Sequence, residues 1–199
     1  MNAQLIEWGV ASLTMPGQSQ SGDRHLVQPY TNGVLVAVVD GLGHGEQAAA
    51  AADLAVTTLS KHAHESVITL CQCCHGRLHN TRGVVMSLAS FNELDRTLTW
   101  IGIGNVEGLV LRTEGPPHSR HEYLLLRNGL VGSQLPSLSA SIMPMTQGDT
   151  LIFVTDGIRG GFAKGLSISD PPQLMANRIL AEHGKGSDDA LVLVARYLK

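Results

Sequence analysis

The sequence predicts an α+β domain in which antiparallel strands pack against helices, and three observations support this class. The apolar segments are mostly short and rich in β-branched residues, as strands are. In the middle of the chain they follow one another without an intervening helix, which favours antiparallel pairing over a parallel βαβ sheet. Two helical patterns precede this series and one follows it, so helices and strands are grouped separately.

The first predicted strand, Val34 to Val39, is an apolar run that stops at Asp40-Gly41. Two more glycines follow, which is typical of a tight turn after a buried strand. Glu46 to His62 is rich in alanine and predicts a helix lying close to a flat surface, because alanine permits near approach. A second helix is predicted from about Ser66 to His79.

The middle of the chain predicts a series of strands separated by turns. Val84 to Phe91 and Thr97 to Ile103 are strands on either side of the polar turn Asn92 to Asp95. Gly115-Pro116-Pro117 predicts a loop, and Gly148-Asp149 predicts a turn. Three further strands are predicted: Gly108 to Arg112, Glu122 to Leu126 and Leu151 to Thr155.

The last part of the chain predicts one helix and one strand. Asp170-Pro171 is typical of a helix start, with a capping carboxylate before a proline at the first helical position. This helix is expected to run to about His183 and to end at Gly184. Leu191 to Tyr197 is the final strand. No internal repeat divides the sequence, so we expect a single domain over residues 1–199.

Composition and charge exclude several classes of protein. The chain has 199 residues, of which 43% are hydrophobic and 16% charged, as in ordinary globular proteins. A formal net charge of −3 offers no basic footprint for nucleic acid or for an anionic membrane. No apolar run approaches the roughly 20 residues that cross a bilayer, and the pattern of a signal peptide is missing. We therefore expect a cytoplasmic protein with no nucleic-acid or membrane partner.

Cys71, Cys73 and Cys74 lie close together and are followed by His75 and His79. On the predicted helix, one cysteine and both histidines would share a face, which makes a zinc site one interpretation. The two spaced ligand pairs of a zinc finger or ribbon are missing, and cysteines in helices are commonly small core residues. We expect core packing and free thiols here.

Two predicted buried strands end in Asp-Gly, and they carry the candidate chemistry: Asp40-Gly41 and Asp156-Gly157. A carboxylate at a strand end is held by a rigid sheet, and the following glycine lets the backbone turn and approach a ligand. Two such carboxylates meeting in space would suit a hard divalent cation, Mg²⁺ or Mn²⁺. A lone Asp-Gly is more often only a turn.

Two other acidic segments add to this pattern. Ser187-Asp188-Asp189 comes directly before the last predicted strand, and adjacent carboxylates repel unless a cation or solvent relieves them. A solvated loop would also explain this pair. Ser21-Gly22-Asp23 is a weak signal by itself.

Taken in order, these motifs resemble a known family. The chain looks like the PPM (PP2C-like) serine/threonine phosphatases in its successive motifs: Asp23 in SGD, Asp40 in VVDGLGHG, Asn105 in GIGNV, Asp156 in VTDG and Asp188 in SDDA. The match is closest to the compact bacterial branch of sporulation and stress-response phosphatases, and within it to stressosome feedback phosphatases. It covers almost the whole chain, and the ordered set is specific although each motif alone is not.

The resemblance implies an α-β-β-α sandwich, with two antiparallel sheets, helices outside them and metals at one end of the cleft. It implies two ions, Mn²⁺ or Mg²⁺. Asp40 would bridge them, and the Gly41 carbonyl would bind one of them. Asp156 and Asp188 would bind the other. Two metals lower the pKa of a water between them and shield the phosphate charge, which favours in-line attack.

The resemblance gives less direct roles to two more carboxylates and leaves one position open. Asp23 would act through bound water, and Asp189 would support the ligands more than bind metal itself. The general acid of the larger members is a histidine at the position of Leu42. His44 is the nearest histidine and would either donate a proton to the leaving seryl oxygen or be a surface loop residue.

Two further departures from the family pattern concern phosphate binding and the last motif. Gln18 replaces an arginine that grips phosphate in the larger members, so the metals would do more of the phosphate binding. Leu191 replaces a threonine of the last motif, so that loop is expected to be less well fixed.

The implied function is a metal-dependent phosphoserine/phosphothreonine protein phosphatase that resets a stress-signalling pathway. Its substrates would be phosphorylated STAS-domain proteins, either stressosome scaffold subunits or anti-anti-sigma factors, and it would act as a monomer. The alternative is a catalytically weak, phosphatase-like binding module of a partner-switching complex. A binding module has no physical need for so many crowded carboxylates, which favours the enzyme. An enzyme with an aspartyl-phosphate intermediate is a third, weaker interpretation, because Leu42 lies where its second acidic residue would be.

Overall fold

A computed structural model describes residues 4–115 and 120–199. Pro116 and Pro117 of the predicted loop lie outside these residues. The strands are β1 (Ile6–Leu13), β2 (Asp23–Tyr30), β3 (Gly33–Gly41), β4 (Val84–Asn92), β5 (Thr97–Ile103), β6 (Glu107–Leu111), β7 (His121–Tyr123), β8 (Leu126–Arg127), β9 (Ser141–Pro144), β10 (Thr150–Val154) and β11 (Ala190–Tyr197). The helices are α1 (Glu46–Lys61), α2 (Val67–Leu78) and α3 (Pro172–His183). None of them is both long and apolar enough to span a membrane within the described ranges.

The strands form two sheets. The first has the order β1-β11-β10-β6-β7, and the second has the order β2-β3-β4-β5-β8, with β9 also paired to β5. Neighbouring strands are antiparallel in both sheets except β5 and β8, which are parallel. The prediction of an α+β fold with antiparallel sheets is confirmed.

The buried side chains form three core layers. One layer lies between the two sheets, and each of the other two lies between a sheet and the helices outside it. Along β3, Val34, Val36 and Val38 face the other sheet in the central layer. The alternate residues Leu35 and Ala37 face α1 and α2. Both faces of this strand are therefore covered, which explains its continuous apolar sequence. The third layer lies between the first sheet and α3.

Helix α1 lies close to the second sheet, as its alanines predict. The alanines on its inner face have no exposed surface: Ala48, Ala49, Ala51, Ala52 and Ala55. Cys71 and Cys74 of α2 are equally buried in the same layer, so their interpretation as core residues is confirmed, whereas Cys73 is partly exposed and the same expectation is wrong for it. Burial raises the pKa of the Cys74 thiol to about 12. The ring of His75 is also used locally, since its Nδ1 accepts the N–H of Gly132 at 3.0 Å.

Two edge strands and one short strand were not predicted: β1, β2 and β9. The edge of β1 is covered at one point by Gln173 of α3. Its side-chain amide donates to the Val10 carbonyl at 2.7 Å and accepts the Val10 N–H at 3.1 Å. Helix α3 lies so close here that a Cβ atom at Gly9 would collide with the Gln173 backbone.

The predicted strand from Glu122 to Leu126 is wrong, because the chain changes sheets within it. Residues up to Tyr123 pair with β6 in the first sheet, and Leu126 pairs with β5 in the second. Between them the buried Leu124 side chain belongs to the central core layer.

The predicted cap of α3 is also wrong. Asp170 does not cap this helix; Pro171 is at the N-cap position without a side-chain cap, and Pro172 begins the helix. Proline suits the first helical position because its φ is fixed and no N–H is left unpaired there. The end at Gly184 is confirmed, where its N–H donates to the Leu180 carbonyl at 2.9 Å.

Candidate active site

A cleft of about 200 Å³ opens at one end of the sandwich, where strands of both sheets end or begin. In the second sheet, Asp23 at the start of β2 pairs in register with Asp40 near the end of β3. In the first sheet, Asp156 follows β10, and Asp188 and Asp189 precede its neighbour β11. The fold thus brings together five carboxylates that the sequence placed in four separate motifs. The complete lining is Asp23, Asp40, Leu42, Gly43, His44, Val85, Asn105, Asp156, Asp188 and Asp189.

Asp23 is held at the base of this cleft by Thr155. Only 5% of Asp23 is exposed, and its Oδ2 accepts the Thr155 hydroxyl at 2.8 Å. The same hydroxyl accepts the N–H of Leu191 at 2.8 Å. The expectation that Leu191 would leave this loop poorly fixed is wrong, because Thr155 ties the start of β11 to β10 and to Asp23. The threonine that precedes Asp156 in the sequence was the available signal for this role.

Asp189 ties the loop between β1 and β2 to the site. One carboxylate oxygen accepts the Met15 N–H at 2.8 Å, and the other accepts the Gly22 N–H at 2.7 Å. Only 4% of Asp189 is exposed. Both oxygens therefore have backbone partners, which suits a supporting carboxylate better than a direct metal ligand.

The remaining carboxylates are more accessible. Asp156 is exposed, and its Oδ2 accepts the side-chain amide of Asn105 at 2.9 Å. Asp188 is partly buried, and its Oδ1 accepts the N–H of Asp189 at 2.9 Å. Each of these carboxylates therefore has further lone pairs that are available to other ligands.

The glycines of the two Asp-Gly motifs allow close packing rather than a left-handed turn. A Cβ atom at Gly41 would collide with the Ala48 carbonyl oxygen of α1, and one at Gly157 would collide with the Asp189 carbonyl oxygen. Neither glycine has a positive φ. The Asp40 and Asp156 strand ends are thereby packed directly against the segments that complete the cleft.

Burial and like charge raise the pKa of two carboxyls. Burial is the largest cause for Asp40, and the charges of the neighbouring carboxylates add to it, so that its pKa rises from 3.8 to about 8. Burial likewise raises the pKa of Asp23 to about 7, although the Thr155 hydrogen bond opposes the rise. Within residues 4–115 and 120–199, no basic side chain forms an ion pair with any of the five carboxylates.

This donor set fits hard divalent cations. It consists of oxygen atoms, and a bound cation would offset both the burial and the mutual repulsion that raise the pKa of Asp23 and Asp40. In the described part of the chain, no three acidic, histidine or cysteine side chains are close enough to enclose one ion. Ions held by one or two carboxylates, a main-chain oxygen and water match this arrangement, and Mg²⁺ is commonly bound in this way.

His44 lines the cleft, and Gln18 lies beside the turn that carries it. His44 is exposed on a glycine-rich turn, in which Gly43 and Gly45 have φ values of 88° and 76°. Gln18 extends to the start of α1, where its Oε1 is 2.7 Å from the position of a Cβ atom on Gly45. The structure therefore places a neutral amide at the N-terminus of α1 and a histidine beside the acidic cluster.

The family described as Stage II sporulation protein E (SpoIIE) matches residues 31–198. The chain belongs to the SpoIIE family. Phosphoserine phosphatase RsbX of Bacillus subtilis (strain 168) is 28% identical to it over 174 residues, which cover 83% of each chain. The predicted family and the prediction of a PP2C-type phosphatase are confirmed by this membership.

Solved structures agree with this fold. A chain from a study of the bacterial stressosome, described as a modular system adapted to control secondary messenger signaling, superposes with a TM-score of 0.87 at 26% identity. The superposition covers 97% of this chain and 100% of that one. RsbX in complex with magnesium superposes with a TM-score of 0.85 at 21% identity, covering 99% and 98% of the two chains. The α-β-β-α sandwich is thus shared by the SpoIIE-family chain and these proteins.

Proposed function

We propose that this SpoIIE-family chain is a divalent-metal-dependent phosphatase that hydrolyses phosphoserine or phosphothreonine on proteins. The observation that carries the proposal is the convergence of five carboxylates, without a basic partner in the described residues, in one cleft. Such a cluster is costly for folding unless it binds cations, and it then forms a centre suited to phosphoryl transfer. The similarity to phosphoserine phosphatase RsbX supports the same chemistry.

We further propose the roles of the individual ligands. Asp40, the Gly41 carbonyl, Asp156 and Asp188 would hold two ions, Mn²⁺ or Mg²⁺, and Asp23 would act through bound water. The ions would supply an activated water and neutralise charge on the phosphate.

The residues around the ligands would orient them. Thr155 fixes the carboxylate of Asp23, and Asn105 fixes that of Asp156, each through the hydrogen bond described above. Asp189 keeps the β1–β2 loop against the cleft. Preorganised ligands of this kind lower the cost of forming the reactive geometry.

The reaction is hydrolysis of a phosphate monoester. A water oxygen forms a bond to phosphorus while the bond from phosphorus to the seryl oxygen breaks. The seryl oxygen takes up a proton, for which His44 in the lining of the cleft is the candidate donor. The attacking water supplies two protons in all, one of which stays on the inorganic phosphate that leaves while the other restores the donor. The proposed substrates are phosphorylated STAS-domain proteins, of the stressosome scaffold or anti-anti-sigma type. The similarity to RsbX and to a chain from the stressosome study supports this choice.

Phosphate release from a phosphoserine STAS-domain protein tests the proposal. We expect phosphate release with Mn²⁺, slower release with Mg²⁺, and no release after chelation of the metal. Asp40→Asn and Asp156→Asn are each expected to lose more than about 100-fold in kcat, because metal ions supply several kcal/mol of charge stabilisation. Asp95→Asn, an exposed carboxylate in the turn after β4, is the matched control.

The outcomes separate the enzyme from the binding module. Full turnover after exhaustive chelation would exclude the metal mechanism. Tight binding of the phosphorylated partner without metal-stimulated turnover would instead support the weak binding module.

A further inference from the structure

The cleft carries negative charge that its own lining residues do not neutralise. Among the described residues that line the cleft, none is a lysine or an arginine. A phosphoserine carries about −1.5 to −2 charges at neutral pH. Two divalent cations would not fully neutralise five carboxylates, so an incoming phosphoryl group would still meet net negative charge. A cation from just outside the lining would remove this repulsion.

Arg82 is placed to supply that cation. Its Nη1 lies 2.8 Å from the position of a Cβ atom on Gly43. Gly43 lines the cleft between Leu42 and His44. The guanidinium therefore rests on the rim of the cleft, next to the turn that follows Asp40.

The guanidinium of Arg82 is available for a ligand. Arg82 is exposed, and within the part of the chain that the structure describes it forms no ion pair. Other arginines are engaged: Arg24 pairs with Asp53, and Arg178 pairs with Glu182. A substrate would not have to displace a carboxylate to reach Arg82.

The backbone that carries Arg82 is fixed to the site. The Leu42 N–H donates to the Gly83 carbonyl at 3.1 Å, and the Gly83 N–H donates to the Thr81 hydroxyl at 3.0 Å. Gly83 has a φ of 80° and begins the approach to β4. Arg82 thus sits on a turn hydrogen-bonded to the segment after Asp40, so only its side chain has to be ordered on binding.

We propose that Arg82 binds the phosphoryl group of the substrate at the mouth of the acidic cleft. The planar guanidinium matches phosphate oxygens in a two-bond geometry that lysine cannot reproduce. This inference rests on the proposed phosphatase function and adds a substrate-binding residue to it. Arg82 draws the dianion into a cleft that is otherwise negative, and it also holds the product phosphate.

The test compares Arg82→Ala and Arg82→Lys with Arg77→Ala. Arg77 is an exposed arginine in the last turn of α2 that does not line the cleft, so it controls for loss of one positive charge. The measurements are kcat and KM for an aryl phosphate and for a phosphoserine STAS-domain protein. Calorimetric binding of inorganic phosphate to Mn²⁺-loaded protein gives a readout that does not depend on turnover. Thermal melts and the Mn²⁺ dependence of the melting temperature check the fold and the metal site.

Arg82→Ala is expected to raise KM for both substrates, and Kd for phosphate, by about 10-fold or more, the size expected for hydrogen bonds to a charged group. The change in kcat is expected to be smaller. Arg82→Lys is expected to restore part of the loss, and Arg77→Ala to match the wild type. The melting temperature and its dependence on Mn²⁺ are expected to be unchanged in all three variants.

Three results would overturn the inference. The first is an unchanged phosphate Kd in Arg82→Ala. The second is a loss confined to the protein substrate, which would show that Arg82 recognises an acidic side chain of the partner instead. The third is an equal loss in Arg77→Ala, which would reflect net charge alone. A wild-type protein that binds phosphate but hydrolyses neither substrate would contradict the proposed function, and the phosphate Kd would still test Arg82.

Discussion

Asp23 and Asp40 are paired in register on β2 and β3, and burial, together with the neighbouring carboxylates, makes both of them sensitive to pH in the metal-free site. Both carboxyls have a pKa raised from 3.8, to about 7 for Asp23 and about 8 for Asp40. Between the unfolded and folded values, the folded protein holds protons that the unfolded chain has released. The stability that these groups contribute is therefore fully present below about pH 4, and it is lost progressively as the pH rises to about 7 for Asp23 and about 8 for Asp40.

The melting temperature of metal-free protein is accordingly expected to fall as the pH rises from about 4 to about 8, and to level off above that range. Burial lowers the pKa of His25 from 6.5, so this residue adds a rise in stability with pH below 6.5, which opposes the fall in that part of the range. Mn²⁺ is expected to raise the melting temperature more at the upper end of the range, where protons no longer compete for the ligands. Asp40→Asn is expected to flatten the profile and Asp95→Asn to leave it as in the wild type. A wild-type profile without slope would contradict the shifted pKa values.

His44 is the histidine that lines the cleft, and its replacement tests whether it is the general acid. If it donates the proton to the seryl oxygen, His44→Ala is expected to lose about 10²–10³-fold in kcat on a phosphoserine protein. An aryl phosphate is expected to lose much less, because its phenolate leaves without a proton. The ratio of the two losses at matched metal saturation is the quantity to measure. Equal, small losses on both substrates would identify His44 as a loop residue.

The carboxylates of the site were predictable from sequence, but the residues that hold them were less so. Asp40 and Asp156 end apolar strands and precede glycines, which gives each of them a recognisable pattern. The partners of Asp189 are main-chain N–H groups of Met15 and Gly22, and a main-chain donor has no signature in the sequence. Arg82 became a candidate only when the turn that carries it was found beside Gly43.

At the level of secondary-structure elements, the position of the loop between β1 and β2 depends on Asp189. Asp189→Ala would leave the N–H groups of Met15 and Gly22 without their acceptors. Because unpaired buried groups cost about 1–3 kcal/mol each, we expect a clear loss of stability and faster hydrogen exchange in residues 14–22. Asp189→Asn keeps one acceptor oxygen and is expected to lie between Asp189→Ala and the wild type. Unaltered exchange in Asp189→Ala would show that the loop is fixed by other contacts.

Whether a strand could be predicted from the sequence depended on how many of its faces are buried. The strands β3, β4, β5, β10 and β11 are mostly buried, and their apolar runs were recognisable. Five of the eight residues of β1 and seven of the eight of β2 are partly or fully exposed, and β2 also contains Pro29. Edge strands with polar residues and proline resemble loops in sequence. The change of sheet after Tyr123 depends on tertiary packing, which a local pattern does not contain.

For the whole molecule, the central core layer predicts how the chain unfolds. Both sheets contribute to it: Val36 and Phe91 come from the second sheet, and Phe153 and Leu193 from the first. Neither sheet would keep its inner face covered without the other. We therefore propose that residues 1–199 behave as one domain, in which loss of one sheet exposes the other.

Denaturant unfolding followed by fluorescence and by circular dichroism is expected to give a single coincident transition. Light scattering on the same sample is expected to give the mass of a monomer. Two separated transitions would show that the sheets unfold independently, and a dimer mass would contradict the monomeric state proposed here.

Gln173 affects whether copies of the chain associate with one another, which catalytic assays do not measure. The outer edge of β1 offers N–H and C=O groups that a strand from another copy could pair with, and such pairing is how sheets extend into aggregates. The Gln173 amide occupies one of these positions by imitating a neighbouring strand at Val10. Replacing it with a side chain that lacks an amide would leave the active site intact and still shorten the time for which a concentrated solution remains clear.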